Sequence, residues 1–154
     1  DAEPDIFHPG DLDYIHSVER ISRLSNVISI NGGVQLDLMG QENAESTGTR
    51  QLSGVGGQMD FLEGAYRSKG GKGFICINSS RVTKDGERKS NILATIPGGS
   101  TISAPRTMIQ YVATEYGIAS LSGKTLRERA EAMASIAHPD FREELMKYAQ
   151  ENFK

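Results

Sequence analysis

Apolar positions in this chain come in short periodic runs, punctuated by glycine and proline. In Ser17–Leu24 the apolar residues Val18, Ile21 and Leu24 stand three apart, which predicts a short helix. Val27–Asn31 (VISIN) alternates and predicts a strand; Gly32-Gly33 follows as a turn, and Val34–Met39 (VQLDLM) alternates again. That pair reads either as neighbouring antiparallel strands or as one strand with a bulge. Gly40–Gly54 is rich in Asn, Glu, Ser and Thr and predicts a long ordered loop, the kind that often carries function. Gln58–Arg67 puts Met59, Leu62 and Tyr66 on one helical face, and Lys69–Gly73 (KGGKG) ends that helix with glycine. Gly73–Asn78 (GFICIN) predicts a buried strand and Val82–Lys89 a charged solvent loop. Asn91–Ile96 and Ser100–Ala104 predict strands joined by the Pro97-Gly98-Gly99 turn.

Pro105 can open a helix, with Met108, Ile109 and Val112 as its buried stripe up to about Thr114. Glu115-Tyr116-Gly117 closes it, and Ile118–Leu121 predicts a short strand. Thr125 predicts an N-cap, with Glu128 completing a capping box. The helix that follows runs through Ala137, with Leu126, Ala130, Met133 and Ile136 or Ala137 facing inward. His138-Pro139-Asp140 breaks it, and Phe141–Asn152 forms a last helix with Phe141, Leu145 and Tyr148 on one face. Alternating strands and helices predict an α/β fold with a mostly parallel or mixed sheet and helices on its faces.

Composition narrows the function classes. At 154 residues one domain is expected, and a formal net charge of −3 gives no basic surface for nucleic acid or anionic membrane. No run approaches the roughly 20 apolar residues of a membrane helix. Asp1–Pro9 is acidic and lacks the apolar segment of a secretory signal. The single cysteine, Cys76, excludes an internal disulfide framework and fits a reducing, cytoplasmic setting. Residues 1–12, broken by Pro4, Pro9 and Gly10, read as a linker or the middle of a loop, so a domain over 13–154 cut from a longer protein is expected.

The chemistry is sought first in Ser53–Phe61 (SGVGGQMDF), where Gly54, Val55, Gly56 and Gly57 precede Gln58 at the start of a predicted helix. This spacing is neither the dinucleotide fingerprint nor a P-loop. It fits a main-chain turn that binds an oxyanion or a thioester, or a tight strand-to-helix turn with no ligand. Lys69 and Lys72 on a glycine turn fit either a phosphate or pantetheine contact, or solvated lysines at a helix C-cap. Asn43 and Glu45 in the polar loop fit either substrate orientation or hydrogen bonds to the loop's own backbone. Glu115 fits either a general base or, more often for a glutamate at an element end, a structural role, and Cys76 reads as core. His8, His16 and His138 do not stand at metal-ligand spacing, so no metal is expected.

Taken together, VISIN, Gln35–Gln41 (QLDLMGQ), Asn43–Ser46 (NAES), SGVGGQMDF, Ser68–Gly73 (SKGGKG), Thr114–Ala119 (TEYGIA) and Ile136–Arg142 (IAHPDFR) resemble, in order, the C-terminal domain of the acetyl-CoA hydrolase/transferase family. The resemblance covers nearly the whole chain from about Asp13. It implies a class I CoA-transferase-like open sheet packed against a similar N-terminal domain. It implies ping-pong transfer of CoA between an acyl-CoA and a short-chain carboxylate, through a glutamyl-CoA thioester. Backbone N–H groups of Gly56 and Gly57 would face the tetrahedral oxyanion; Gly54, Val55, Gln58, Lys69 and Lys72 would hold CoA; and His16, Asn43 and Glu45 would arrange the substrate.

The family's nucleophilic glutamate belongs to a segment of the type G-I-x-x-E-M followed by Asp-Gly, which this sequence lacks. The nucleophile is therefore expected upstream, and the chain alone is expected to be inactive. Coenzyme A or acyl-CoA is the expected substrate, with no tightly bound cofactor. The full-length protein is expected to be a homo-oligomer with no nucleic-acid or membrane partner. An acyl-CoA hydrolase and a non-catalytic CoA-binding or assembly domain stand as alternatives.

Overall fold

The computed structural model describes Ile6 and residues 9–153. Of the predicted irregular stretch 1–12, residues 1–5, Phe7 and His8 lie outside the described residues. Two short helices come first, α1 (Leu12–Ile15) and α2 (Val18–Arg23), capped by the side chains of Asp11 and Ser17. They lead into β1 (Ile28–Gly32). The loop region holds β2 (Gln35–Asp37), β3 (Glu42–Asn43), β4 (Ser46–Thr47) and β5 (Arg50–Gln51). After α3 (Gln58–Arg67) and β6 (Lys72–Cys76) come β7 (Ser80–Val82), β8 (Arg88–Ser90) and β9 (Ile92–Leu93). The chain ends with the hairpin β10 (Tyr111–Thr114) and β11 (Gly117–Ser120), then α4 (Leu126–Ser135) and α5 (Pro139–Asn152).

The main sheet runs β1-β6-β10-β11, parallel across its first three strands and antiparallel at the last. This is the mixed α/β sheet that the alternation of elements predicted. The cross-strand row Ile75, Val112 and Ala119 is buried beneath Leu62 and Ala65 of α3 and Ala130, Met133 and Ala134 of α4. α5 packs on α4, burying Leu145 and Ala149. The alternate row, Ile30, Phe74 and Tyr111, lies on the opposite face, where Ile30 stays 69% exposed.

Several local expectations change. Val34–Met39 does not pair with Val27–Asn31: Gly32 and Gly33 carry the chain away, and β2 joins a separate sheet, antiparallel to β3 and parallel to β9. All three β2 residues are buried, because Asp37 folds its carboxylate onto the backbone N–H groups of Met39 and Gln41. The polar 40–54 loop contains three short strands, and the charged stretch 82–89 is an exposed hairpin of β7 and β8. Ser100–Ala104 forms no strand; Ala104 makes one bridge to Glu42. The helix expected after Pro105 is a single turn, and Val112 is buried in the strand β10 instead. A short apolar run fits both periods, and here the open parallel edge of β6 decides. Tyr66 and Leu126 are exposed, and α5 begins at Pro139 with His138 as its cap.

Candidate active site

α3 carries the chain from the end of β1 back to the start of β6. Its C-terminus lies beside the entry to β1, where the Asn26 N–H donates to the Lys69 carbonyl at 2.9 Å and the Lys72 N–H to Val27 at 2.8 Å. Its N-terminus therefore lies at the C-terminal ends of the parallel strands, the edge at which open α/β sheets collect ligands.

At that edge Gly54, Val55 and Gly56 are exposed. Gly56 adopts φ +61°, a left-handed conformation that side chains resist. Gly57 is the N-cap of α3, and no side chain caps it. The first N–H groups of the helix thus have no side-chain acceptor and carry the positive end of its dipole. His16 completes one wall: a Cβ on Gly57 would fall 2.2 Å from its Cε1 and 2.5 Å from its Nδ1, so the imidazole packs directly against the glycine. The same ring stands edge-on to Phe61 at 5.1 Å, with Nδ1 3.4 Å from an Asp60 carboxylate oxygen. His16 and Asp60 also line a depression of about 310 Å³ beside the turn.

Gln58 points the other way. It is buried, and its amide Nε2 donates to Glu42 Oε2. Glu42 is fully buried, and its pKa is pushed up to about 8, first by burial; the Gln58 hydrogen bond opposes this and the nearby Glu45 charge adds to it. Sequence reading passed over Glu42, whose only trace there is membership of a polar loop.

Asn43 spends its polar groups inside that loop, and Glu45 ties the loop to Ser103. Asn43 is fully buried; its Nδ2 donates to the Ser46 carbonyl at 2.8 Å, and its Oδ1 accepts from the Glu45 and Ser46 N–H groups. Glu45 accepts from Ser103 Oγ at 2.6 Å and Gln51 Nε2 at 3.1 Å. Lys69 and Lys72 are exposed at the far end of the ten-residue α3, about 15 Å of helix from the glycine turn.

Glu115 is a tie between loops. Slight burial works to raise its pKa, but hydrogen bonds from Ser79 Oγ (2.6 Å) and N–H (2.9 Å) outweigh that and hold it below the ordinary carboxylate range. Cys76 is half-buried rather than core. With Gly33, Ile77, Asn78, Ala113 and Thr114 it lines an open depression of about 420 Å³ at the same strand ends.

Fold and edge geometry together define an open α/β domain with a glycine turn leading into the uncapped start of α3 at the strand-end edge. Residues 2–149 match the model of the acetyl-CoA hydrolase/transferase C-terminal domain, and the chain belongs to that family. It is 47% identical over 139 residues to the butyryl-CoA:acetate CoA-transferase of Anaerostipes caccae, covering 90% of this chain and 31% of that protein. It is 47% identical over 142 residues to the 4-hydroxybutyrate coenzyme A transferase of Clostridium kluyveri, covering 92% of this chain and 32% of that one. The crystal structure of RipA from Yersinia pestis superposes with a TM-score of 0.79 at 40% identity, over 90% of this chain and 30% of that one. The chain thus spans about a third of the length of these relatives.

Proposed function

We propose that this chain supplies the oxyanion side of a CoA-transferase active site, in a protein that moves CoA between an acyl-CoA and a short-chain carboxylate. The observation that carries the reading is the uncapped N-terminus of α3, reached through the left-handed Gly56 and walled by His16 on Gly57. Attack on a thioester carbonyl makes a tetrahedral oxyanion. Fixed N–H donors stabilise that charge with no reorganisation at the moment it forms, each worth about 3 kcal/mol of barrier.

In this reading the N–H groups of Gly56 and Gly57 are the donors, and Val55 and Gly54 border the thioester. His16 holds the turn in place. Asn43 and Glu45 act by shaping the loop that leads into it. Lys69 and Lys72, at the opposite end of α3, would meet the phosphate or pantetheine part of CoA rather than the thioester. The nucleophilic glutamate comes from polypeptide outside this sequence, and coenzyme A is a substrate rather than a resident cofactor.

The exposed sheet face, with Ile28, Ile30 and Ile118 at 50%, 69% and 64% exposure beside the stacked Phe74 and Tyr111, is the contact for the polypeptide that makes up the rest of the relatives. No described helix is long and apolar enough to cross a membrane.

The test is CoA transfer from acetyl-CoA to short carboxylates, measured for this chain alone and for a longer protein that carries it. The longer protein should show ping-pong kinetics and a trappable glutamyl thioester, and the chain alone no turnover. Robust turnover by the chain alone contradicts the reading. Thioester loss that ignores added carboxylate would instead mark a hydrolase.

A further inference from the structure

The chemistry above leaves Glu42 without a task. Its backbone is fixed, donating to the Ala104 carbonyl at 3.0 Å and accepting from the Ser103 N–H at 2.8 Å. Its carboxyl group is wedged between three elements of the strand-end edge. Oε2 accepts from Gln58 in the first turn of α3. Oε1 lies where a Cβ on Gly33, just past β1, would come within 2.7 Å, and Ile77, just past β6, closes the same space.

Asp37 shows how this fold treats a buried anion: its carboxylate accepts from the Met39 N–H, the Gln41 N–H and the Gln41 amide. Glu42 has nothing comparable. Its Oε1 has no hydrogen-bond partner, and no cation pairs with it among the described residues. Of the groups facing it, Gln58, Gly33, Ile75 and Ile77 do not titrate, and Glu45 carries like charge.

We propose that Glu42 is a positioning residue for the glycine turn: its uncharged carboxyl group holds Gln58 and so the first turn of α3, and ionisation releases both. The anion keeps one donor, Gln58 on Oε2, and has none on its buried Oε1, so the carboxylate must swing toward water, and that swing breaks the Gln58 bond. Gln58 follows directly on Gly57, so the donor amides lose their fixed aim. The catalytic consequence rests on the CoA-transferase reading, whereas the coupling itself does not.

The experiment has two arms. On the 154-residue chain, amide resonances of Gly56, Gly57 and Gln58 and the Glu42 carboxyl carbon are followed by NMR from about pH 6 to 10, with the His16 ring signals followed alongside so that shifts tracking the imidazole are set apart. All four signals should share one midpoint well above the normal glutamate range. The amide response should vanish in Glu42→Gln, and in Gln58→Met, which cuts the link while leaving Glu42 in place. Glycine amides that ignore Glu42, or still respond in Glu42→Gln, overturn the proposal.

In a longer protein active in CoA transfer, kcat should fall about tenfold per pH unit above that midpoint. Glu42→Gln should flatten this limb with KM little changed; an unaltered limb refutes the catalytic role. A longer protein that transfers no CoA while the amides still follow Glu42 refutes the CoA-transferase reading and upholds the coupling.

Discussion

Gly57 and His16 are 41 positions apart in sequence and share one van der Waals space. Gly57→Ala should destabilise the chain by about 1–3 kcal/mol, because the added methyl must displace the imidazole. The double variant with His16→Ala should lose clearly less than the sum of the two single changes, as read by urea unfolding. Glu42 makes a second prediction. Its folded pKa, about 8, lies above the 4.5 of an unperturbed glutamate, so the native state binds the extra proton. The resulting stability is complete below pH 4.5 and is lost as pH rises through about 8. Relative to Glu42→Gln, the parent should therefore lose on the order of a few kcal/mol across that window. Parallel stability profiles for the two proteins would contradict this. At this scale the motif placed the glycine turn before α3 and the family resemblance pointed to His16, but neither gave the direction of Gln58, which sits in an exposed motif by sequence and is buried in the structure. Glu42 was hidden because nothing local marks a loop glutamate as buried; the ends of β1 and β6 bury it.

Elements with a local code were the legible ones. The Thr125–Glu128 capping box is present with both reciprocal hydrogen bonds, and α3 spans Gln58–Arg67 as its periodicity predicts. Thr125→Ala should lower stability by about 1 kcal/mol in the same unfolding assay, since it leaves the Glu128 N–H unpaired. Elements that depend on distant partners were misread. β10 looked helical because Met108, Ile109 and Val112 fit a helical stripe, yet Tyr111 and Val112 pair with Phe74 and Ile75 of β6. β2 looked like a neighbour of β1, yet its parallel partner, β9, lies more than fifty residues along the chain. No window of sequence contains that pairing.

On the scale of the molecule, one sheet face is covered by α3 and α4 and the other carries exposed isoleucines. Ile30→Asp should change the unfolding free energy of this chain by less than about 0.5 kcal/mol, as exposed substitutions do. In a longer active protein the same change should weaken contact with the remaining polypeptide and reduce turnover. Unchanged turnover would remove this face from the proposed interface.

The glycine turn itself is tested most directly by Gly56→Ala in a longer protein that carries this chain and transfers CoA from acetyl-CoA to a short carboxylate. A methyl at φ +61° strains the left-handed turn and biases it toward conformations that turn its donors away. The expected result is a kcat lower by about 100-fold or more with KM changed only a few-fold, the signature of donors that act in the transition state. A kcat equal to that of the parent, in a variant shown to be folded, would contradict the assignment of this turn as the oxyanion site.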